Sequence, residues 1–352
     1  MPDTLYKISF PPTRCALRRA EPRSNRFLLN GLRMLVSLVL QMGSGFLQFC
    51  SMRCLVRRSL GAGGLIFLLS SCQLFTNPHS PAGYVLPRPE IHFLGKKLSE
   101  VSGLFYLKGT SSMLAIADDK KHVFRVYTDG TVDDFYTEEF APSADYEDVL
   151  QLDSTVYVLA SDGTLFASHR ADSGLVTETY HLEVPLPETV ERDAEGKPKE
   201  GSVDFETMYY DSSARGVILL SKNIKGENNT GVRTAWRFDP ATRRFDPKPF
   251  YTIRQKDVAD VLKDGKAQFK PSAAAFNPLS GQLFILSSAG HLLVITNGRD
   301  SVEAAYRLNP SFYPQAEGIA FAENGDMYIS NEAKLGKATL LRIPYGRKGK
   351  RH

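Results

Sequence analysis

The chain has 352 residues, 42% of them hydrophobic and 23% charged, and a formal net charge of +4 at pH 7. This composition excludes a disordered or fibrous chain and allows a sizeable core. The charge is uneven: ten of the 43 Lys/Arg but only two of the 39 Asp/Glu fall in residues 1–71, so the remainder is mildly acidic and gives no electrostatic reason for nucleic-acid binding.

Residues 1–51 are Arg-rich and show no domain pattern. Their apolar run near 35–49 is short and broken by Gln41, Gly43, Ser44, Gly45 and Gln48, which makes it a poor membrane span. Met52 reads as the true start, with 1–51 as an upstream extension. After Met52 come Arg53, Arg57 and Arg58, an apolar stretch from Leu60 to Leu69, and then Ser70-Ser71-Cys72. The apolar stretch is too short to span a bilayer, and the order of features is that of a secretory signal peptide over 52–71. Leu69-Ser70-Ser71-Cys72 resembles the lipobox of bacterial lipoproteins. The resemblance implies cleavage before Cys72, acylation of its thiol and tethering to a membrane of the cell envelope, either the outer membrane or the periplasmic face of the inner one. Residues 72–83 are polar and Pro-containing and read as the tether. All four cysteines, Cys15, Cys50, Cys54 and Cys72, lie in this region, so the body has neither a disulfide nor a thiolate metal site.

From Tyr84 onward one unit repeats five times. Each copy opens on a short apolar strand led by acidic or small polar residues, around Glu100-Val101-Ser102-Gly103, Asp145 to Asp148, Asp204 to Thr207, Lys270 to Ala273 and Gln315 to Gly318. A turn rich in Gly, Asn, Asp or Ser then leads to a continuous apolar strand (113–119, 156–162, 217–223, 283–289 and 327–332). A third strand follows, and then a fourth in every unit but the last. The missing strand is supplied at the front, by 90–94. The expectation is all-β: a β-propeller over 84–346, of five four-stranded blades closed by the N-terminal strand, with six blades as the alternative. Only 255–263 has a helical pattern. The long loops at 182–203 and 253–269 are expected to lie over one end of the central channel. The basic tail, 347–352, reads as a solvated end.

The first strand of each blade lines the axis of a propeller, so its leading residues converge on one mouth. Glu100, Asp145, Glu147, Asp204, Glu206 and Glu317 are the candidate metal or ligand residues, seconded by Asp118, Lys222, Lys270 and Asn331. Crowded carboxylates need compensation from cations or N–H donors. Lys222 and Lys270 supply part of it, and a hard cation such as Ca²⁺, which takes six to eight oxygen ligands, suits the rest. No nucleophile elbow, zinc helix, phosphate loop or dinucleotide fingerprint occurs in the body, which leans away from catalysis and leaves the catalytic residues unknown.

The motifs Glu100-Val101-Ser102-Gly103-Leu104, Asp145/Glu147, Asp204/Glu206 and Ala316-Glu317-Gly318-Ile319-Ala320 resemble those of the SdiA-regulated (YjiK-like) family. That family is related to phytase-like, NHL-repeat and gluconolactonase-like propellers. The resemblance covers roughly residues 90–343 and implies a propeller located in the envelope. The aspartate-rich metal motifs of propeller phytases are absent from the sequence. Three functions follow: a propeller binding a metal, a small molecule or a protein; a metal-dependent phosphoesterase or lactonase-like hydrolase; or a protein-interaction scaffold.

Overall fold

The strands whose sequences run apolar without a polar break are those buried on both faces. Ser112–Ala117, Leu283–Ser287 and Met327–Asn331 are buried at every position. Such burial requires a packed layer on either side of the sheet. The structure, a computed structural model, describes residues 79–346 except 189, 192–198, 200, 228–229 and 334–335. The expected extension, signal peptide, Cys72, most of the tether and the basic tail lie outside the described residues.

Strand β1 (Glu90–Phe93) precedes five antiparallel sheets. Blade one is β2 (Val101–Tyr106), β3 (Ser112–Ala117), β4 (Phe124–Tyr127) and β5 (Val132–Asp134). Blade two is β6 (Tyr146–Leu152), β7 (Thr155–Ala160), β8 (Thr164–Ala171) and β9 (Gly174–His181). Blade three is β10 (Val203–Asp211), β11 (Gly216–Ile224) and β12 (Val232–Asp239), with β13 (Arg244–Phe245) and β14 (Tyr251–Arg254) both paired to β12. The single outer strand expected here is thus split, because Pro247 and Pro249 lie between its halves and supply no N–H to the ladder. Helix α1 (Gln255–Leu262) follows. Blade four is β15 (Ala273–Phe276), β16 (Leu283–Ser287), β17 (Leu292–Thr296) and β18 (Val302–Arg307). Blade five is β19 (Ala316–Phe321), β20 (Met327–Asn331) and β21 (Thr339–Ile343), completed by β1. Glu90 pairs with Arg342 and Phe93 with Thr339, so the first strand closes the ring as its sequence position predicts.

The core is divided into five apolar clusters, one at each blade interface. Met113 and Ala115 of β3 face blade five, while Leu114 and Ile116 face blade two. Period-two alternation along each second strand feeds the two neighbouring interfaces in turn, which is why these strands carry no polar face. The helix does not lie over the channel. Its Val258 and Ala259 are buried beside Ile253, Phe269, Leu292 and Val294, and it runs against β18, the outer strand of blade four. No helix among the described residues is long and apolar enough to cross a membrane.

Candidate functional site

Each inner strand pairs on one side only, leaving its other backbone edge turned to the axis. Cavity-lining residues show this directly. A space of about 240 Å³ is lined by three consecutive residues from every blade, Leu104–Tyr106 and Ala274–Phe276 among them, as expected of an exposed edge rather than an alternating face.

The leading ends of these strands carry a shared irregularity. The β2–β3 ladder skips Ser102 and Gly103, β6–β7 skips Glu147, β10–β11 skips Glu206 and β19–β20 skips Glu317. A β-bulge leaves the extra residue unpaired and re-aims its side chain. Three glutamates are therefore presented by the same device at the same position of three blades. β15 has no such register shift within its ladder, and blade four contributes Lys270 and Ser272. Hydrogen bonds between blades hold the arrangement: the Tyr146 N–H donates to Asp118 O (3.1 Å), and the Phe205 N–H to Ser161 O (2.9 Å).

The candidates divide into two groups. The first centres on Lys222, whose ammonium contacts Glu206 and lies 3.7 Å from Asp204. Burial and the neighbouring Asp145 raise Glu147 to about 9, against the pull of Lys222, with Asp204 and Glu317 adding to the rise. Burial likewise raises Glu317 to about 7, opposed by Lys222 and by hydrogen bonds from Ser288 and Gln315. Asp204 is also raised by burial, with Lys222 and Lys270 opposing and Asp145 reinforcing. Carboxylates of blades two, three and five thus share one lysine, and there are too few cations to ionise them all cheaply.

The second group is Glu100, Asp118 and Asp119, each offering a carboxylate oxygen within 4.8 Å of the others. Burial, a hydrogen bond with Glu100 and the charges of Glu100 and Asp119 raise Asp118 to about 7. Its Oδ1 is buried without a hydrogen-bond partner. Lys120 contacts Asp119 at the edge of this group. Asn331 pairs with Ala316 at the mouth end of β20 and is buried; its amide N–H groups donate to Phe312 O and Thr339 Oγ1 (both 3.0 Å), while its Oδ1 is buried without a hydrogen-bond partner.

Asp148 is a central residue that the sequence pattern did not single out. It is 3% exposed, and its carboxylate accepts the N–H groups of Val149 (2.8 Å) and of Met208 on the next blade (2.7 Å). Burial raises it well above the usual carboxylate range, against those two hydrogen bonds. It follows the bulged Glu147 directly, and the sign that marks it is a third acid within four residues.

No known protein family and no curated protein matches this chain. Solved structures do. A streptogramin B lyase is 12% identical with a TM-score of 0.43, covering 75% of this chain and 100% of that one. Glutaminyl cyclase of Myxococcus xanthus is 9% identical with a TM-score of 0.46, covering 73% and 95%. The PQQ-bound aldose sugar dehydrogenase of Streptomyces coelicolor is 12% identical with a TM-score of 0.42, covering 75% and 100%. These are β-propeller proteins, and at such identities they carry no argument about activity.

Proposed function

We propose that this chain is a lipid-anchored envelope protein of the SdiA-regulated (YjiK-like) kind, whose propeller binds a divalent cation, Ca²⁺ in the first instance, at its acidic mouth. The observation that carries the reading is the trio Glu100, Asp118 and Asp119, with oxygens within 4.8 Å of one another and a buried, unpartnered Asp118 Oδ1. An ion there would supply the positive charge that the mouth's lysines do not, and a hard cation accepts this all-oxygen set. The lysine-centred carboxylates beside it would then contact whatever small molecule or protein the ion helps to hold. Envelope location rests on the sequence of 52–72.

Thermal unfolding at pH 7.5 with and without CaCl₂ tests the site. A cation at a hundred times its Kd stabilises by about 2.7 kcal/mol, or about 5–10 °C in a domain of this size. The shift should vanish in the Asp118→Asn/Asp119→Asn double variant. No shift with any divalent cation would overturn the metal reading. A second reading, a metal-dependent phosphoesterase or lactonase-like hydrolase, is favoured by one observation: Glu317, raised to about 7, is placed to exchange a proton near neutral pH. Turnover of phosphoesters or lactones by the cation-loaded protein, abolished by Glu317→Gln, is its test.

A further inference from the structure

The axis changes character within a residue or two of the bulges. On one side of them stand the acids of the mouth. On the other, the space of about 240 Å³ is walled by three consecutive residues of each inner strand, and none of the fifteen is charged. They form three levels. The deepest, from Leu104 of blade one to Ile319 of blade five, is buried throughout. The outermost is Tyr106, Gln151, Tyr210, Phe276 and Phe321, of which the first four are half-buried. Exposure thus rises towards the ends of the inner strands, so the chamber opens on the face opposite the mouth.

Four blades bring an aromatic ring to this outer level, and blade two brings an amide. The rings are held in place from behind. Tyr106 stacks on Tyr328 (6.0 Å), and its hydroxyl donates to Thr110 O (2.5 Å). Phe276 meets Tyr209 edge to face (5.7 Å), and the Tyr209 hydroxyl contacts that of Tyr251. Gln151 Nε2 donates to Asp153 O (2.8 Å), which leaves Gln151 Oε1 as an acceptor with no partner among the described residues.

We propose that this chamber is a second binding site, for a small uncharged aromatic molecule with an N–H or O–H donor, of the size of indole or a cresol. Volume sets the size. A cavity of about 150 Å³ takes benzene, and drug-sized ligands need about 300 Å³ or more. The present space falls between them, which suits a substituted or fused ring and excludes a peptide or a nucleotide. Charge sets the class, because the walls hold no counter-ion and a bare charge is costly in such surroundings. Aromatic walls favour a ring, which they meet by offset stacking or edge to face. Gln151 Oε1 calls for a donor. Walls already fixed by their own partners reduce the ordering cost of binding. None of this involves the acidic mouth, so the cation site and this site stand or fall separately.

The full chain is tested by equilibrium dialysis against indole, 1-methylindole and benzoate. Indole should bind at one site per chain, tenfold or more tightly than benzoate, which is of similar size but charged. Methylation removes the N–H donor and should weaken binding about threefold or more. Ala275→Leu narrows the chamber and should weaken indole about tenfold, with its urea midpoint showing that it folds. Where that variant does not fold, Gln151→Leu at the half-buried rim should bring indole down to the affinity of 1-methylindole. Phe93→Ser, at an outer-strand position 64% exposed and remote from the axis, should leave indole binding unchanged. No retention of indole would leave water as the occupant and overturn the proposal. So would equal affinity for benzoate or 1-methylindole, or wild-type affinity in Ala275→Leu or in Gln151→Leu. Loss of binding in Phe93→Ser would assign it to the outer surface and overturn the proposal equally.

Discussion

At the scale of single residues, the region round the axis is where this fold is least tolerant. Inner strands converge there, and Asp148, Thr207 and Gly318 directly follow the bulged residue of their blades, while Gly103 is itself part of the irregularity in blade one. A Cβ on Gly103 would lie 2.5 Å from Asp148 Oδ1 and 2.6 Å from Asp148 Cα, the second being backbone that cannot step aside. Gly318 is equally tight, 2.4 Å from Ser330 Oγ and 3.1 Å from the Leu104 nitrogen. The glycine of the Ser102-Gly103 and Glu317-Gly318 motifs is therefore there for close approach. Asp148 spends its size differently, bridging two blades through backbone N–H groups. Asp148→Ala would orphan two buried donors and should cost about 2–4 kcal/mol, read as a fall in the urea midpoint. Gly103→Ala, by overpacking the same contact, should cost about 1–3 kcal/mol. Wild-type midpoints in both variants would refute this account of the axis.

At the scale of elements, blade count, strand order and ring closure were all legible, because one strand pattern repeats five times, each second strand is apolar on both faces, and only one short helix lies between the copies, too little to cover those faces, so each sheet is covered by its neighbours. The bulges were not legible. Period-two reading assigns Glu147 and Asp148 to opposite faces, but a bulge is a property of the pairing, and a single strand's sequence does not display its partner's register. For the same reason the acids could be gathered at one mouth from the repeat alone, while their division between Lys222 and the Glu100–Asp118–Asp119 trio could not. Helix α1 was correctly expected but misplaced, since Val258 and Ala259 find their partners on blade four through contacts no local pattern specifies. Closure also depends on one residue before β1. The Tyr84 hydroxyl, buried, donates to Gly325 O and accepts a hydrogen bond from Asn277 Nδ2 (2.7 Å), joining the turn before β1 to blades four and five. Tyr84→Phe keeps the ring packed and leaves both partners unpaired. It should lower stability by about 1–3 kcal/mol with an unchanged denaturant slope. A midpoint within error of wild type would show that the clasp is not needed for closure.

For the molecule as a whole, the acidic mouth sets the direction of pH dependence. Glu147 is raised to about 9, and Glu317 and Asp118 to about 7, each with burial as the leading cause. An unfolded carboxyl titrates near 4, so between about pH 4 and 9 the folded state holds protons that the unfolded state has released. Stability must then fall as pH rises through that window. Carboxylates held low act oppositely: hydrogen bonds from Arg170 and Thr137 keep Glu138 at about 2, and the hydrogen bonds of Tyr345 and Arg342 outweigh burial to lower Asp326. Their contribution is present above about pH 4 and lost in acid. Melting temperature should accordingly peak near pH 5 and decline towards pH 9. Saturating CaCl₂ should flatten the decline, because a bound cation favours the ionised trio and lowers the pH at which Asp118 releases its proton. Glu147→Gln should remove the upper part of the decline, between about pH 7 and 9, and leave the calcium response intact, since Glu147 lies outside the trio. A melting temperature that rises steadily from pH 5 to 9 would mean that these carboxylates are ionised and compensated by groups other than Lys222 and a cation, and the proposed site would lose its electrostatic basis.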